Sequence, residues 1–202
     1  MTLGPGYFDG VYAASPDPWE FATRWYEARK YAISVALLTS QHYGDAFEPG
    51  CSIGVLTELL APRCDRLLSC DVAAGAVRNA ATRTASQPNV RVQRRVIPRD
   101  WPPGGFDLIV FSEFLYYFAG DDLDQVLDLG VAALRPGGSL LAVHWRHPVA
   151  DYPRSGDDVH QVLAGQAGLA RLVDHREPDF LAEVYIRADG EAVSVAQAGG
   201  LV

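Results

Sequence analysis

Glycines and acids occur in two short stretches of this sequence at a spacing that suits a nucleotide cofactor. Glu48, Gly50 and Gly54 frame the segment EPGCSIG, and the apolar run over 67–70 ends in Asp71. When such a turn joins a strand to a helix, its backbone approaches the cofactor, and an acid ending the next strand accepts hydrogen bonds from ribose hydroxyls. The two stretches therefore predict an adenosyl-binding site.

The same turn lacks the glycine pattern and the lysine motif with which proteins bind nucleotide phosphates. A dinucleotide pyrophosphate takes the full pattern G-x-G-x-x-G, whereas Cys51 and Ser52 fill the middle here, and no G-K-[ST] follows for a triphosphate. The glycines could simply permit a tight turn, and Asp71 could cap the helix predicted over 73–85. The order of strand, turn, helix, strand and acid favours cofactor binding over both alternatives.

Three side chains are candidates for proton transfer. Glu113, His144 and His147 all follow or end predicted strands, and open α/β sheets bind ligands at the carboxyl ends of their strands. An amine acceptor must lose a proton, which a carboxylate or imidazole can take. Glu113 could instead cap the next segment, and His144 could satisfy a backbone group in the core. No metal site is expected, because these histidines and His160 lack helical ligand spacing.

The elements that position these residues alternate between strand and helix. Strands are predicted over 45–48, 66–70, 90–96, 106–112 and 140–145, and helices over 54–61, 73–85 and 122–134. The run over 106–112 is apolar apart from one acid, as expected for a strand covered on both faces. The alternation predicts an α/β fold with a mostly parallel sheet and helices on both faces.

The N-terminal region reads as one long helix. Asp17, Pro18 and Glu20 combine a cap residue, a proline at the first helical position and an early glutamate, which predicts a helix from there to about Ser40. Two ion pairs are expected on its surface, Glu20 with Arg24 and Glu27 with Lys30. Phe21 and Trp25 are expected to pack inward.

The C-terminal region differs from the rest. Residues 170–175 and 181–187 are strand-like, and the gap between them is too short for a crossover helix. They should therefore pair antiparallel. Residues after Ala188 are expected to form a frayed tail.

Composition narrows the class of protein. The chain has 202 residues, 49% of them hydrophobic, enough for one sizeable core. Its formal net charge of −8 argues against nucleic-acid binding, which needs a basic face. No run suits a membrane span and no signal pattern opens the chain. We expect a cytoplasmic protein with reduced thiols at Cys51, Cys64 and Cys70.

The acidic two-glycine turn and Asp71 resemble those of the class I S-adenosylmethionine-dependent methyltransferases, as do the RPGG segment at 135–138 and the terminal hairpin. The resemblance implies S-adenosylmethionine as cofactor, with the turn on its methionine part and Asp71 on both ribose hydroxyls. It also implies one Rossmann-like domain over 1–202. Its expected parts are a cap over 1–42, a core over 43–188 and a tail over 189–202.

A narrower resemblance concerns both ends of the fold. Residues 17–19, 26–27 and 30–31, together with SEFLYYF at 112–118, are similar to the NodS group. That family N-methylates the deacetylated amino-sugar end of chitooligosaccharide signals. The resemblance implies N-terminal helices that cap the cofactor and an S-E-x-L-Y-Y segment at the mouth of the site.

The site residues expected from the motifs and from these resemblances fall into three groups. Cofactor binding is expected from Trp19, Tyr26, Tyr31, Glu48, Gly50, Cys51, Ser52, Gly54, Asp71, Val72, Val96, Ile97, Ser112 and Glu113. Substrate binding is expected from Tyr116, Tyr117, Arg146, His147 and Tyr152. Catalysis is expected from Glu113, His144 or His147.

The expected activity is methyl transfer to an amine nitrogen of a small molecule or amino sugar. Two alternatives remain: an O-methyltransferase of the same fold, in which a histidine activates a hydroxyl, and an S-adenosylmethionine-binding protein that transfers no methyl group. A NAD-dependent oxidoreductase ranks last because of the glycine turn. The expected partner is a small molecule bearing an amine or hydroxyl, and the expected assembly is a monomer or weak dimer.

Overall fold

A computed structural model describes residues 1–188 and 192–202 and is built around one β-sheet. The strands are β1 (Tyr43–Pro49), β2 (Cys64–Asp71), β3 (Val90–Arg94), β4 (Phe106–Ser112), β5 (Leu134–Trp145), β6 (Leu169–Arg176) and β7 (Phe180–Arg187). Across the sheet their order is β3-β2-β1-β4-β5-β7-β6. The strand order reverses between β1 and β4, and a crevice for a ligand forms at such a point.

Strands β1 to β5 form the parallel part of the sheet, and β7, which lies between β5 and β6, runs in the opposite direction. Strand β1 pairs in parallel with β2 and β4, while β3 and β5 extend the parallel part on either side. Strand β7 is antiparallel to both β5 and β6. The predicted sheet, mostly parallel with a C-terminal antiparallel hairpin, is confirmed.

Both faces of the sheet are covered by apolar side chains. In β4, Leu108 and Val110 join one core cluster, and Ile109 and Phe111 join the other. All four side chains are fully buried. This alternation within an unbroken apolar run is what a strand between two helical layers requires.

The helices lie around the sheet, and three of them lie where the sequence predicts helices. They are α1 (Pro5–Ala14), α2 (Trp25–Ala36), α3 (Val55–Leu60), α4 (Ala74–Arg83), α5 (Asp121–Ala133), α6 (Gly156–Ala164) and α7 (Val195–Ala198). Helices α3, α4 and α5 match predictions. Helix α1 was not predicted, because Gly6 and Gly10 lower the helix propensity of that segment.

The predicted long N-terminal helix is wrong at both ends. Glu20 has a φ of +59°, a left-handed conformation that an α-helix cannot contain. The carboxylate of Asp17 accepts hydrogen bonds from the amides of Phe21 and Ala22 at 2.9 and 3.0 Å, so it closes a turn. Helix α2 begins after that turn, at Trp25.

The two predicted ion pairs have different outcomes. Glu20 and Arg24 pair at the surface, as expected. Glu27 and Lys30 also pair, but Lys30 is only 1% exposed, so the expected surface position is wrong. Trp25 is 77% exposed, because the buried face of α2 consists of Glu27, Lys30, Tyr31 and Ser34. The expectation that Trp25 packs inward is therefore wrong.

The C-terminal segment contains one ordered turn. Ser194 caps α7 through a hydrogen bond from the Gln197 amide to its hydroxyl, which corrects the expectation of a frayed tail over that part. Residues 189–191 of the predicted tail lie outside the described residues. Across the rest of the chain, no helix has both the length and the apolar character needed to cross a membrane.

Candidate active site

The turn after β1 depends on a glycine. Gly50 has a φ of +75°, and a Cβ built there would lie 2.6 Å from Cδ2 of Phe114. The amides of Gly50 and Cys51 both donate to the carbonyl of Cys70, at 2.7 and 2.9 Å. The turn is thereby joined to the end of β2, where Asp71 lies.

Gly54, which was expected to contact the cofactor, lies instead where two helices pack closely. It starts α3 with a φ of +81°, and a Cβ there would lie 2.9 Å from the Cα of Ala80 in α4. It lines none of the three cavities described below. The structure therefore corrects its assignment from cofactor contact to the close packing of α3 on α4.

Asp71 is buried beside the turn. Its carboxylate accepts hydrogen bonds from the amides of Ser52 and Ala73, at 3.0 and 2.9 Å. Burial raises its pKa to about 6, although these hydrogen bonds favour the ionised form. The predicted acid thus lies at the expected strand end, and it also orders the turn and the start of α4.

Glu48 is a second buried acid, at the end of β1. Its Oε2 accepts hydrogen bonds from the hydroxyls of Thr57 and Ser69, at 2.6 and 2.8 Å. Burial raises its pKa to about 7. A cation placed against the other oxygen would favour its ionised form.

The first cavity, of about 250 Å³, opens between this turn, the end of β3 and the N-terminal segment. Its walls include most of the residues expected on the adenosyl side, namely Trp19, Gly50, Ser52, Asp71, Val72, Val96 and Ile97. A narrower third cavity of about 30 Å³ adjoins it, and Tyr31, Glu48, Gly50, Cys51, Ser52, Ser112 and Glu113 are among its lining residues. The two cavities share Phe21, Gly50 and Ser52.

Sequence reasoning missed the N-terminal wall of the first cavity. Phe8 and Tyr12 of α1 line it, and the Tyr12 hydroxyl lies 2.5 Å from the hydroxyl of Ser52. Thr2 accepts a hydrogen bond from the Ala119 amide at 3.0 Å. The aromatic residues at i and i+4 after a proline were the available signal, which the neighbouring glycines obscured.

The second cavity, of about 350 Å³, is lined mainly by aromatic side chains. Its aromatic members are Trp19, Phe21, Tyr26, Tyr116, Tyr117, Trp145 and Tyr152. It shares Trp19, Phe21 and Tyr117 with the first cavity, and Phe21 and Glu113 with the third. Of the predicted substrate residues, Tyr116, Tyr117 and Tyr152 lie here. Tyr26, predicted for the cofactor, lines this second cavity alone, because the helix turns it towards Trp145.

Lys30 is buried in the wall of the second cavity between two carboxylates. Its Nζ lies 2.6 Å from Oε1 of Glu113 and 3.2 Å from Oε1 of Glu27, with the Tyr26 ring centroid at 5.2 Å. Burial opposes its charge, yet the two carboxylates hold the pKa of Lys30 above its ordinary value. The sequence offered no signal for this contact, because Glu113 is 83 positions away.

Glu113 stands where the second and third cavities meet, with a φ of +52°. Its Oε1 accepts from Lys30, and its Oε2 accepts from the Tyr116 hydroxyl and, at 3.1 Å, from the Trp145 amide. Glu113 therefore belongs to the walls of both cavities. Both of its oxygens already accept hydrogen bonds, which favours a role in ordering the cavity wall over proton transfer.

His144 is not a candidate base in this structure. Its side chain is fully buried, its Nε2 accepts the Leu115 amide at 3.1 Å, and its Nδ1 lies 3.1 Å from Nε2 of His160. Burial, followed by the charges of His160 and Lys30, lowers its pKa well below the ordinary value. The predicted catalytic role is corrected to a structural one, because neither nitrogen faces a cavity.

Two further predicted residues lie outside the cavities. His147 is exposed, and its Nε2 lies 2.8 Å from Asp179. Arg146 pairs with Asp157 at 2.8 Å and donates to the carbonyl of Glu177. Neither lines the second cavity, so their assignment to substrate binding, and that of His147 to catalysis, do not match the structure.

This chain is similar to known proteins in both sequence and fold. Residues 12–156 match the family model described as Nodulation protein S (NodS). Nodulation protein S of Bradyrhizobium diazoefficiens is 36% identical over 132 residues, which is 64% of this chain and 59% of that protein. The chain thus spans about three fifths of the length of this curated relative.

Two solved structures extend the likeness. A putative methyltransferase from Pseudomonas syringae is 44% identical with a TM-score of 0.73, and the match covers 81% of this chain and 100% of that one. The N-methyltransferase NodS from Bradyrhizobium japonicum WM9, in complex with S-adenosyl-L-homocysteine, is 26% identical with a TM-score of 0.81. That match covers 92% of this chain and 99% of the other.

Proposed function

This chain belongs to the NodS family, and we propose that it transfers a methyl group from S-adenosylmethionine to an amine nitrogen of a small molecule, releasing S-adenosylhomocysteine. The observation that carries the proposal is the pair of cavities with a common aromatic wall at Trp19, Phe21 and Tyr117. One cavity has the turn and acid of an adenosyl site, and the other offers room for an acceptor beside it.

The residues of the first and third cavities fit this cofactor. Gly50 leaves no room for a side chain against Phe114, so the turn beside these cavities requires glycine at this position. Asp71 is assigned to the ribose hydroxyls, and Val72, Val96 and Ile97 supply apolar surface for the adenine. When bound, S-adenosylmethionine supplies an electrophilic methyl group on a sulfonium.

The third cavity suits the methionine part of the cofactor. Glu48 is buried with one oxygen occupied by two hydroxyls, and an ammonium group would supply the missing counter-charge. Tyr31, Cys51 and Ser112 line the same space. We assign these residues to the methionine end.

The second cavity is assigned to the acceptor. Tyr117 and Tyr152 line it beside the largely buried Tyr116, and they give it aromatic surface on which the ring of an amino sugar or an aromatic amine can rest. The shared aromatic wall would hold the acceptor nitrogen near the methyl donor, and such positioning supplies much of the rate in a displacement reaction. An aromatic face also attracts a neighbouring cation.

Glu113 is assigned to positioning, through Lys30, Tyr116 and Trp145. Its earlier assignment as general base remains a prediction, and Glu113→Gln tests it. Loss of turnover with an unchanged acid limb of the pH profile supports positioning, whereas disappearance of that limb supports a base.

The same proposal covers the location of the protein, its assembly state and the role of its N-terminal cap. A small-molecule methyltransferase without a membrane-spanning helix in its described part is expected to act in the cytoplasm, as a monomer or weak dimer. The cap over 1–42 is proposed to cover the cofactor, in line with the contacts of Phe8 and Tyr12. Size-exclusion chromatography with light scattering measures the assembly state.

Calorimetric titration with S-adenosylhomocysteine, S-adenosylmethionine and NAD tests the cofactor assignment. Binding of the two sulfur ligands but not NAD is expected. Binding of NAD alone, or of none of the three, would overturn the proposal.

A second assay tests the reaction itself. Methyl transfer is measured to glucosamine, to a chitooligosaccharide with a free amino end, to an aromatic amine and to a phenol. Transfer to amines supports the proposal. Transfer to the phenol alone would identify an O-methyltransferase, and cofactor binding without any transfer would favour a protein that only binds S-adenosylmethionine.

A further inference from the structure

A line of buried hydrogen bonds runs from the wall of the second cavity to the antiparallel strand β7. The Leu115 amide donates to Nε2 of His144 at 3.1 Å, and Nδ1 of His144 lies 3.1 Å from Nε2 of His160. Nδ1 of His160 lies 2.6 Å from Oε2 of Glu183. We call His144, His160 and Glu183 the histidine relay, and all three are at most 3% exposed.

The partners at each end determine where the protons lie. The Leu115 amide is a donor, so Nε2 of His144 must carry no proton and its Nδ1 must carry one. That proton is donated to Nε2 of His160. His160 therefore carries its own proton on Nδ1 and donates it to Glu183. Each imidazole is neutral in this arrangement, and every ring nitrogen has a partner.

Glu183, at the outer end of the histidine relay, is held by several hydrogen bonds. Oε1 of Glu183 accepts from Arg171 at 2.8 Å and Arg176 at 3.1 Å, and its Oε2 also accepts from Tyr185 at 2.6 Å. Although burial acts to raise it, hydrogen bonds from His160 and Tyr185 lower the pKa of Glu183. A carboxylate held ionised by so many donors is a permanent acceptor for His160.

His144, at the inner end of the histidine relay, contacts a short turn that lines the proposed acceptor cavity. Leu115 opens a 3-10 turn over Leu115–Tyr117, and Tyr116 and Tyr117 from this turn line the second cavity. The Tyr116 ring packs edge-on against the His144 ring at 5.3 Å and stacks on Tyr152 at 4.9 Å. An imidazole in the wrong tautomer would present an N–H to the Leu115 amide, and a turn that lost this acceptor would lose its position.

We propose that His144, His160 and Glu183 are positioning residues that hold the Leu115–Tyr117 turn, and with it the tyrosine wall of the acceptor site. The role in acceptor binding rests on the proposed methyltransferase function. The hydrogen-bonded path from Glu183 to Leu115 does not.

Two substitutions at one position separate this role from general packing. In His160→Gln, the side-chain amide oxygen can reach the position of Nε2 and still accept from His144. In His160→Asn, the shorter amide nitrogen can reach the position of Nδ1 and donate to Glu183, but nothing then accepts from His144. His144 is free to change tautomer only in the second variant. His42→Gln is the matched control, because His42 is half exposed and pairs with Asp65 at the surface.

Hydrogen exchange of the Leu115 amide is the first measurement, made on proteins whose thermal unfolding shows them to be folded. Exchange should be about tenfold faster in His160→Asn, corresponding to one lost hydrogen bond, and within about twofold of the original in His160→Gln and His42→Gln. Equal exchange rates in the two His160 variants would overturn the proposal. This measurement is independent of any enzymatic activity.

Steady-state kinetics with the amine that the protein methylates gives the second measurement. His160→Asn should raise the KM for the amine about tenfold, with S-adenosylhomocysteine affinity within about twofold and His160→Gln near the original. An equal loss of cofactor and amine binding would indicate a general structural role and overturn the positioning proposal. If the original protein methylates no amine, the proposed function fails while the exchange result still decides the path to Leu115.

Discussion

The two main cavities lie side by side but are built in different ways. The first is formed around backbone: a glycine turn, the amides that it directs towards β2, and one acid that orders them. The second is formed by aromatic and charged side chains from distant parts of the chain, such as Lys30 and Glu113. The turn of the first cavity therefore depends on local conformation, whereas the wall of the second depends on contacts between side chains that are far apart in the sequence.

The largest effect is expected from Lys30→Met, which breaks the ion cluster of the second cavity. Removing the cation leaves Glu27 and Glu113 buried without their counter-charge, which should cost about 3–5 kcal/mol of unfolding free energy. Arg29→Met is the matched control, because the Arg29 pair with Glu177 is partly exposed and should contribute at most about 1 kcal/mol. Denaturant unfolding measures both. Equal losses would show that the cluster does not stabilise the fold.

A smaller effect is expected from Asp71→Asn in the first cavity. The loss of a charged acceptor should weaken S-adenosylhomocysteine binding by about 2 kcal/mol, or about 30-fold. Asp65→Asn, on the same strand but exposed, should leave the affinity unchanged. Calorimetry measures both. An unchanged affinity for Asp71→Asn would remove this acid from the cofactor site.

The pH-dependence of adenosine binding sharpens the same assignment. Burial raises the pKa of Asp71 to about 6, and hydroxyl donors on a ribose favour its ionised form. Affinity should therefore be constant above about pH 7 and fall as the pH drops below 6, by up to about tenfold per unit. Adenosine is used because it lacks the methionine part assigned to Glu48. The fall should be absent in Asp71→Asn, and a fall of the same size there would assign it to another group.

The smallest effects compare two tryptophans. Trp19 lines both cavities and stacks on Phe21 at 5.4 Å, so Trp19→Ala should weaken S-adenosylhomocysteine binding by about 1 kcal/mol. Trp25 is 77% exposed, and Trp25→Ala should change neither binding nor stability by more than about 0.5 kcal/mol. Calorimetry and thermal unfolding check both. Equal effects of the two variants would contradict the division of these residues between site and surface.

The same difference explains how much could be predicted from the sequence. The turn from Gly50 and the acid at Asp71 were predictable, because their contacts lie within one strand–helix–strand unit and depend on local conformation. The sheet was predictable for a related reason, since apolar runs such as 106–112 record burial on both faces. Local patterns carried all of this information.

The remaining features depended on contacts that local patterns do not record. Asp17 and Pro18 are good helix-start residues, yet the left-handed backbone at Glu20 ends that turn. His144 looks like a base at a strand end, and only its distance to Leu115 and His160 shows that both nitrogens are engaged. The arrangement of the second cavity and its surroundings therefore could not be predicted without the tertiary structure.

The N-terminal helix α1 lies over the first cavity and is held there by contacts that are only partly buried. It covers the first cavity, yet none of its residues is fully buried, and its ties to the body include the Tyr12 contact with Ser52 and the ion pair of Asp9 with Arg94 at 3.1 Å. A cover held by partly exposed contacts can detach without disturbing the core beneath it. The first cavity can therefore be uncovered by the loss of the α1 contacts alone, while the sheet and its core stay packed.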